Sequence, residues 1–565
     1  MERTEQLLVF HFTSMNDNFT SSPKTFVVTM RDGTCLSGEL WLPPVPPTSL
    51  PLLICRTADS LSAMTPLAQQ CVALGYPVYL QSVRGRGDSS GQFRPYVQEA
   101  SDGEDTLRQL LDNSNLGAFG ILPFGFGYSG QTALALALRT PSECLVGLAL
   151  IGATASHFES GICCNGLIHG EALFSFTRWL PVASRPTRAE FAEWLVHPHW
   201  QTGFSPFSAM PPFEEWVLAL RANPIQDAFW QCPALCPKLF LHQLPKLPIF
   251  ICGGTASLTG AGTFQLAKIL SAHNTADVEF WMGNWDDEAF FDYNDHSPIC
   301  QHLMEWFTQI AMKKTPRSRN PRNINYLIQE WDDDSHWLHW THWPILDLSN
   351  QELFLQPSQL TTSVSKIGDS CEYYDNPHSP PTLPPGCKWG LTDSQPLFGP
   401  FRLPPAIRAD TLSFTSAPFP HEKLVVGQPR LRLRVSTNRL DTLFLARLVA
   451  IPPATSCGDV RTIAYGAYRL SLRYGLDNLV AFSPGTDHAT LTFSLTPTIW
   501  HLPAGSQLRL ELSSNDFPRY LLGTNDLPPI GNASCPPFRI AHNTIECDIR
   551  GTSRLTLPVL NKAPP

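Results

Sequence analysis

Short apolar segments alternate with amphipathic segments over the first third of the chain. The apolar segments are bounded by turn residues, as in LPLLIC, PVYLQSV and LVGLALIGA. Such runs are typical of buried parallel strands. The segments between them have helical spacing, as in TPLAQQCVALGY, EASDGEDTLRQLL and QTALALALRT. This alternation of strands and helices predicts a mostly parallel, doubly wound sheet with helices on both faces.

A different pattern occupies residues 156–244, where the helical segments RAEFAEWLV and PFEEWVLALRAN carry aromatic faces. Strand and helix patterns then return in LPIFICGG, TFQLAKILSAH, DVEFWMGNW and ICQHLMEWFTQIAM. The sequence therefore predicts an α/β core over residues 1–155 and 245–314, with a helical cap over 156–244 inserted into it.

The last part of the chain, residues 315–565, has a third pattern. It begins with a predicted linker, TPRSRNPRN, and proline is frequent from 376 to 405. Alternating runs separated by turn residues follow, among them TLSFTS, PRLRLRVST, DTLFLARLVAI and SQLRLELSS. Short alternating strands of this kind predict an all-β sandwich.

Composition and charge narrow the class of protein. The chain has 565 residues, of which 43% are hydrophobic and 16% charged, so it can build two or three packed cores. The net charge of −9 and the absence of a Lys/Arg cluster argue against a nucleic-acid partner. No signal peptide or membrane-spanning segment is visible, and the 15 cysteines lack CxxC or zinc spacing. We therefore expect a cytoplasmic protein with free thiols, no metal and no cofactor; its oligomeric state stays open.

Five separated segments resemble the cocaine esterase / X-prolyl dipeptidyl-peptidase (CocE/NonD) family. They are VVTMRDGTCLSGELWLP, QSVRGRGDSSGQFRPY, NPIQDAFWQ, DTLSFTSAPF and GSQLRLELSSNDFPR. The resemblance implies an α/β-hydrolase fold with a helical cap and a C-terminal jelly roll. It also implies a Ser-His-Asp triad and a tyrosine hydroxyl in the oxyanion hole, whose positions can be followed one by one in this sequence.

The position of the family's nucleophile falls in the string GFGYSG, residues 125–130. Gly127 stands where the family has serine, whereas Tyr128 and the outer glycines match. Gly127 has no side chain and cannot act as a nucleophile. Ser129 lies two residues along, inside the predicted helix, and we expect its hydroxyl to point away from the pocket.

The other positions of the family's site also depart from its pattern. Ala256 or Ser257 occupies the place of the acid, and Asp287 occupies the place of the histidine, in GNWDD. The segment RTAD lacks the oxyanion tyrosine but keeps Arg56 and Asp59, which we expect to form an ion pair. All four groups of the acyl-transfer machinery are thus replaced.

The leading hypothesis is a repurposed, non-hydrolytic enzyme: a cyclase, isomerase, lyase or pericyclase of secondary metabolism that binds an apolar small molecule in an aromatic pocket. Asp287 is predicted to have a raised pKa and to act as general acid or base. The backbone N–H groups at the start of the helix could bind an anion or a carbonyl. The candidate binding residues are Gly127, Tyr128, Ala256, Ser257, Trp285 and Asp59.

Two alternatives remain open at this stage. One is a non-catalytic pseudoenzyme that binds a ligand or regulates a partner. The other is an esterase or peptidase with a displaced nucleophile such as Ser129.

Overall fold

A computed structural model of the chain describes most of its residues. The described ranges are 22–44, 50–112, 119–197, 200–272, 277–312, 322–328, 337–340, 345, 348–364, 367–379, 410–455, 460–531, 533–547 and 550–560. The N-terminal segment, most of the predicted linker and most of the proline-rich segment lie outside these residues. None of the helices in the described ranges has the length and apolar character needed to cross a membrane.

A ten-stranded, mostly parallel sheet forms the first domain. Its strands are β1 (Lys24–Thr29), β2 (Cys35–Trp41), β3 (Leu52–Thr57), β4 (Val78–Ser82), β5 (Ile121–Phe126), β6 (Leu148–Ile151), β9 (Pro248–Gly254), β10 (Asp277–Gly283), β11 (Arg322–Leu327) and β12 (Trp337–Trp340). The spatial order is β1-β2-β4-β3-β5-β6-β9-β10-β11-β12. The pairs from β4 to β11 are parallel, whereas β1, β2 and β12 pair in the antiparallel sense.

Five helices cover the two faces of this sheet, as the alternating pattern predicts. Their bounds are α1 (Thr65–Ala73), α2 (Glu99–Asp112), α3 (Tyr128–Ala137), α7 (Gly260–Ala272) and α8 (Pro298–Ala311). Helices α2, α3 and α7 share one apolar core with the sheet, and α1 and α8 share another on the opposite face. The central strands are buried on both sides, which explains why they read as continuous apolar runs.

The sheet continues past the predicted boundary at residue 314. Strand β11 pairs with β10 in parallel, and β12 returns antiparallel to β11, so the α/β domain extends to Trp340. The boundary at 314 is therefore too early for the sheet. The prolines and charges of TPRSRNPRN indicate the end of a helix and a linker after it. They do not show that the next strand joins the same sheet.

The insertion between β6 and β9 forms the cap. It contains a small hairpin, three helices and several single turns; the named elements are β7 (Cys163–Cys164), β8 (Leu167–Ile168), α4 (Gly170–Phe176), α5 (Arg188–Val196) and α6 (Pro211–Ala222). Its aromatic side chains pack largely on one another, with Phe191, Phe207 and Phe213 fully buried. The aromatic pattern thus builds the core of the cap itself.

The C-terminal domain is an all-β unit. Its strands are β13 (Leu348–Gln356), β14 (Gln359–Thr361), β15 (Asp369–Asp375), β16 (Thr411–Ser416), β17 (Lys423–Gly427), β18 (Arg430–Thr437), β19 (Leu443–Ile451), β20 (Arg461–Arg469), β21 (Ala489–Ser494), β22 (Thr498–Leu502), β23 (Gln507–Ser513), β24 (Ala541–Cys547) and β25 (Arg554–Leu560). They pair almost entirely antiparallel. Buried residues alternate with exposed or half-buried residues along β18, β21 and β24, as a one-sided core requires.

Apolar clusters cross the boundaries between the domains. Val426, Ile499 and Leu560 of the β domain join the core of the α/β sheet. A second cluster joins Leu167 of the cap to Leu443, Tyr465 and Tyr520 of the β domain. The β domain therefore packs against both the α/β domain and the cap.

Candidate functional site

A sharp turn between β5 and α3 has the backbone of a nucleophile elbow, and glycine stands at its tip. Gly127 has φ 53° and ψ −114°, and its N–H donates to the Ile151 carbonyl at 2.7 Å. A Cβ at Gly125 would lie 2.2 Å from the Ser129 carbonyl, and one at Gly130 would lie 2.8 Å from the Ile151 carbonyl oxygen. The outer glycines are thus required by the close approach of strand and helix.

Ser129 is part of this turn rather than of a reactive pair. Its hydroxyl donates to the Phe126 carbonyl at 3.0 Å and accepts from the Phe126 N–H at 2.8 Å. The side chain is 1% exposed. Ser129 thus ties the start of α3 to the end of β5, and this geometry offers no support for a displaced nucleophile.

Two phenylalanines fill the space around the elbow. Asp286 accepts a hydrogen bond from the Ala289 N–H at 2.8 Å and so opens a single helical turn, Ala289–Phe291. A Cβ at Gly152 would lie 2.7 Å from the Phe290 ring, and a Cβ at Gly127 would lie 3.5 Å from Phe291 Cζ. A side chain at position 127 would therefore meet the Phe291 ring.

Asp287 ties together the loops that follow β9 and β10. The Ser257 hydroxyl donates to Asp287 Oδ1 at 2.6 Å, and the Leu258 N–H donates to Oδ2 at 3.0 Å. The Ala256 N–H donates to the Trp285 carbonyl at 3.2 Å, one step nearer the strands. The positions predicted for the acid and the histidine are therefore in direct contact, as a serine–aspartate pair.

The environment of Asp287 favours its neutral form. Burial raises the pKa of Asp287 to about 6, and the nearby Asp286 carboxylate adds to this rise. The hydrogen bonds from Ser257 and Leu258 and the Arg178 guanidinium oppose the rise in pKa without cancelling it. The side chain keeps partial contact with solvent. A carboxyl group with such a pKa can give or take a proton near neutral pH.

The expected ion pair between Arg56 and Asp59 is wrong. Arg56 is buried and donates to Gln81 Oε1 at 2.8 Å, with the Glu99 carboxylate 3.3 Å from its guanidinium. Asp59 lies beyond the end of β3 and pairs instead with Arg178 of the cap, whose Nε is 3.2 Å from Oδ1. Strand β3 sends consecutive side chains to opposite faces, so the sequence distance of three residues does not bring the two charges together.

The other predicted binding residues have mixed placements. The Tyr128 hydroxyl donates to Glu99 Oε1 at 2.7 Å, and its ring packs against Trp179 at 5.1 Å under the cap. The Trp285 indole lies on Gly283 and faces the Trp337 ring at 5.8 Å. Neither side chain is shown in contact with Asp287. The Gly127 N–H, which was expected to bind an anion, is already bonded to Ile151.

A cavity of about 970 Å³ reaches the loop after β9 at Leu258, the residue next to Ser257. Its walls come from α7, from the start of the cap and from the β domain, and they include Leu258, Cys164, His169 and Tyr465. Leu258 is the residue whose N–H binds Asp287. A cavity of this size accommodates a small organic molecule.

The site residues predicted from the sequence did not include Phe291, Arg178 or the residues of the β domain that face this cavity. Arg178 lies 4.3 Å from the centre of the Phe291 ring and joins the cap to the elbow. The adjacent phenylalanines after the acidic run at 286–288 were a local signal for a buried segment. The residues of the β domain had no such signal, because only the packing of distant segments brings them to the cavity.

Two family models match consecutive parts of the chain. The X-Pro dipeptidyl-peptidase (S15 family) model matches residues 32–286. The X-Pro dipeptidyl-peptidase C-terminal non-catalytic domain model matches residues 319–556. A cocaine esterase from Rhodococcus sp. (strain MB1 Bresler) is 24% identical over 610 residues, covering 97% of this chain and 100% of the esterase.

Solved structures show the same fold over almost the whole length. An aminopeptidase from the marine sediment archaeon Thaumarchaeota archaeon has a TM-score of 0.79 at 18% identity and covers 99% of each chain. An α-amino acid ester hydrolase has a TM-score of 0.76 at 18% identity, covering 98% of this chain and 99% of its own. The chain therefore belongs to the cocaine esterase / X-prolyl dipeptidyl-peptidase family of α/β-hydrolases, with a β-rich C-terminal domain.

Proposed function

We propose that this protein is a non-hydrolytic enzyme that transforms a small, largely apolar molecule by proton transfer at Asp287. The observation that carries the proposal is the serine–aspartate contact at 2.6 Å, which stands where the family resemblance places acid and histidine. The elbow beside it presents glycine. Without a nucleophile and an imidazole base, an acyl-enzyme cannot form.

The reaction classes that fit are those that need one carboxyl group and a shaped cavity. Asp287 supplies a proton donor or acceptor near neutral pH, since burial raises its pKa to about 6. Ser257 and Leu258 hold both of its oxygens, so the carboxyl group is fixed before a ligand arrives. Cyclisation, isomerisation or elimination can proceed by such positioning and general acid–base catalysis.

The experiment begins with the ligand. Native mass spectrometry of the purified full-length protein identifies small molecules that co-purify, and each is then incubated with the protein. Isomerisation or cyclisation gives a product of unchanged mass, elimination gives a lighter product, and hydrolysis adds one water. We expect one of the first two outcomes; a product that carries oxygen from isotopically labelled water would contradict the proposal.

Asp287→Asn then tests the residue itself. Loss of a general acid or base should lower kcat by roughly 10²–10⁴-fold while KM changes little. Asp375→Asn is the matched control, because burial also raises the pKa of Asp375 to about 6, in β15 of the C-terminal domain. Equal turnover in wild type and Asp287→Asn would remove the catalytic role from this carboxyl group.

A ligand-binding pseudoenzyme is the second candidate, and Phe291 is the observation that favours it. The ring lies 3.5 Å from where a side chain at Gly127 would begin, so the protein itself occupies the space above the elbow tip. Under this alternative the cavity binds its ligand without turnover. Recovery of every co-purified molecule unchanged after prolonged incubation would favour the pseudoenzyme.

A further inference from the structure

A buried arginine at the junction of the cap and the β domain has most of its guanidinium unpaired. Arg519 is 4% exposed, and within the described part of the chain its one ion pair joins Nε to Asp516 Oδ2 at 3.5 Å. Among the described residues, no hydrogen-bond acceptor contacts Nη1 or Nη2. Burying a charged guanidinium without acceptors is costly, so such a group marks a place where an acceptor binds.

Two further polar side chains beside Arg519 are buried with unused hydrogen-bonding atoms. His169 is 2% exposed and its Nδ1 has no partner within the described chain. The Tyr520 hydroxyl is also fully buried. It lies beside the Cys164 thiol, a weak hydrogen-bonding partner, and has no hydrogen bond to an oxygen or nitrogen of the described residues. The His169 and Tyr520 rings pack at 4.7 Å between centres, and the Arg519 guanidinium lies 4.7 Å over the Tyr465 ring. We call His169, Arg519 and Tyr520 the seam cluster.

The seam cluster adjoins the large cavity. His169, Cys164, Tyr465 and Leu258 line the cavity. Arg519 and Tyr520 lie behind this wall, where they contact the Tyr465 and His169 rings. Four cationic side chains but only two carboxylates line its walls; they are Lys268, Arg430, Arg432, Arg554, Glu159 and Glu352. Both carboxylates are ion-paired, Glu159 with Lys238 and Glu352 with Arg554. The resulting positive potential attracts an anion into the cavity.

We propose that the seam cluster binds the carboxylate of the substrate, so that the substrate is an aromatic or similarly apolar carboxylic acid. The Asp516 carboxylate faces Nε of Arg519 and leaves the two terminal nitrogens free. These present parallel N–H donors, which match the two oxygens of a carboxylate. The rings of Tyr465, Tyr520 and His169 form an aromatic wall for the rest of the molecule.

This inference rests on the proposed function in one respect, since it takes the ligand of this cavity to be the substrate acted on at Asp287. Benzoate binding to the full-length protein tests it, measured by calorimetry and by the shift in Tm at constant ionic strength. Benzamide serves as the uncharged analogue and sulfate as the tetrahedral anion. We expect benzoate to bind and to raise Tm, and neither benzamide nor sulfate to match it; equal binding by sulfate or benzamide overturns the assignment to a carboxylate.

Three variants locate the bound anion. Arg519→Met should weaken benzoate binding about ten- to a hundredfold, the loss typical of charge-assisted hydrogen bonds. Tyr520→Phe keeps the ring and should weaken binding about three- to tenfold, the loss of one hydrogen bond. Arg139→Met, at an exposed arginine just past the end of α3 and away from the cavity lining, should bind benzoate as the wild type does. Unchanged affinity in Arg519→Met overturns the inference.

The stability of the ligand-free variant gives an independent readout. If the Arg519 guanidinium is unpaired until an anion binds, replacing it with the apolar methionine removes an unpaired buried charge. The Tm of the ligand-free protein should then stay the same or rise. A lowered Tm would show that Arg519 is already compensated and would count against the site. If Arg519→Met does not fold, Tyr520→Phe decides the question, and unchanged benzoate affinity in that variant overturns the inference.

Asp287→Asn separates this inference from the proposed function. This variant should bind benzoate with wild-type affinity even where it abolishes turnover, because Asp287 lies outside the seam cluster. Failure of benzoate to bind wild type, together with an effect of Asp287→Asn on turnover, would reject the carboxylate and keep the enzyme. Benzoate binding without any effect of Asp287→Asn on turnover would do the reverse.

Discussion

Two regions of this protein, the elbow and the seam cluster, differ in whether their polar groups have hydrogen-bond partners. At the elbow, Asp287 accepts two hydrogen bonds, Ser129 is bonded to the strand before it, and Phe291 covers the tip. At the seam, Arg519 and Tyr520 are more deeply buried than Asp287 and retain donors without an oxygen or nitrogen acceptor among the described residues. The large cavity reaches the first region at Leu258 and the second at His169.

The elbow is complete without a ligand, because its polar groups are already hydrogen-bonded. The seam cluster needs an external partner for its unpaired donors. Buried polar groups in folded proteins are almost always hydrogen-bonded, and each exception needs an explanation. The elbow needs none, since its groups satisfy one another. The seam carries several exceptions in a few residues, and their donors are of the kind that binds an anion. The polar groups at the elbow therefore bind one another. The donors at the seam, which has no known sequence motif, are the ones left for an external ligand.

The largest change we expect comes from disturbing the seam itself. Gly170 opens helix α4, and its N–H donates to the Arg519 carbonyl at 2.7 Å. A Cβ at this position would lie 2.0 Å from the Pro518 carbonyl oxygen. Gly170→Ala should therefore lower the free energy of unfolding by about 3 kcal/mol, although alanine favours helices.

Chemical denaturation measures this loss, and Gly368→Ala is the control, because no atom lies within 4 Å of a Cβ there. The Gly170→Ala variant should also lose benzoate-dependent stabilisation, since the cap and the β domain no longer meet at the required distance. A Gly170→Ala protein as stable as the wild type would mean that the two domains are not held together as tightly as the contact implies.

The sequence predicts the elbow better than the seam because the elbow is local. Strand β5, the turn at Gly127 and helix α3 follow one another in the chain, and the strand–turn–helix pattern fixes their geometry. The absence of a side chain at the tip is visible in the sequence alone. The chain order also predicts the cap and the β sandwich, whose strands and helices have clear periodicities.

These sequence patterns do not predict contacts between segments that are distant in the chain. The partner of Arg56 is Glu99, 43 residues away, and not the nearby Asp59. The seam cluster joins His169 of the cap to Arg519 and Tyr520 of the β domain, segments separated by most of the chain. Hydrophobic periodicity shows which face of an element is buried but does not show which other element covers it.

A smaller effect should distinguish Asp287 by its response to pH. Its pKa in the folded protein is about 6, above the ordinary value of 3.8. The folded state therefore holds a proton that the unfolded state releases between about pH 4 and pH 6, and the contribution of Asp287 to stability falls as pH rises through this window. Wild type should lose roughly 1–2 kcal/mol there relative to Asp287→Asn.

Urea denaturation of both proteins at pH 4 and pH 6.5 measures this difference. Asp375→Asn should show a change of the same sign, because its carboxyl group also has a pKa of about 6. Turnover, by contrast, should respond to Asp287→Asn alone. A stability difference between wild type and Asp287→Asn that stays constant across this range would mean that Asp287 ionises normally in the folded protein, which would weaken its case as a proton donor.

The smallest effect we expect is from restoring the serine at the elbow. Gly127→Ser places a hydroxyl at a backbone conformation with φ 53°, at a cost of about 1 kcal/mol, and its Cβ meets Phe291 at an ordinary 3.5 Å. The variant should fold, yet it should neither hydrolyse activated esters above background nor react with a fluorophosphonate probe. The reason is the missing base: the residue at position 287 is a carboxylate already bonded to Ser257 and Leu258, and the members of a triad act as a unit.

Gly127→Ser/Asp287→His is the informative companion, because it adds the imidazole while leaving the fold of the elbow in place. Probe labelling of the double variant alone would show that the elbow is intact and only its chemistry is gone. Labelling of Gly127→Ser by itself would reveal a base supplied from elsewhere, and the contrast between a closed elbow and an open seam would no longer hold.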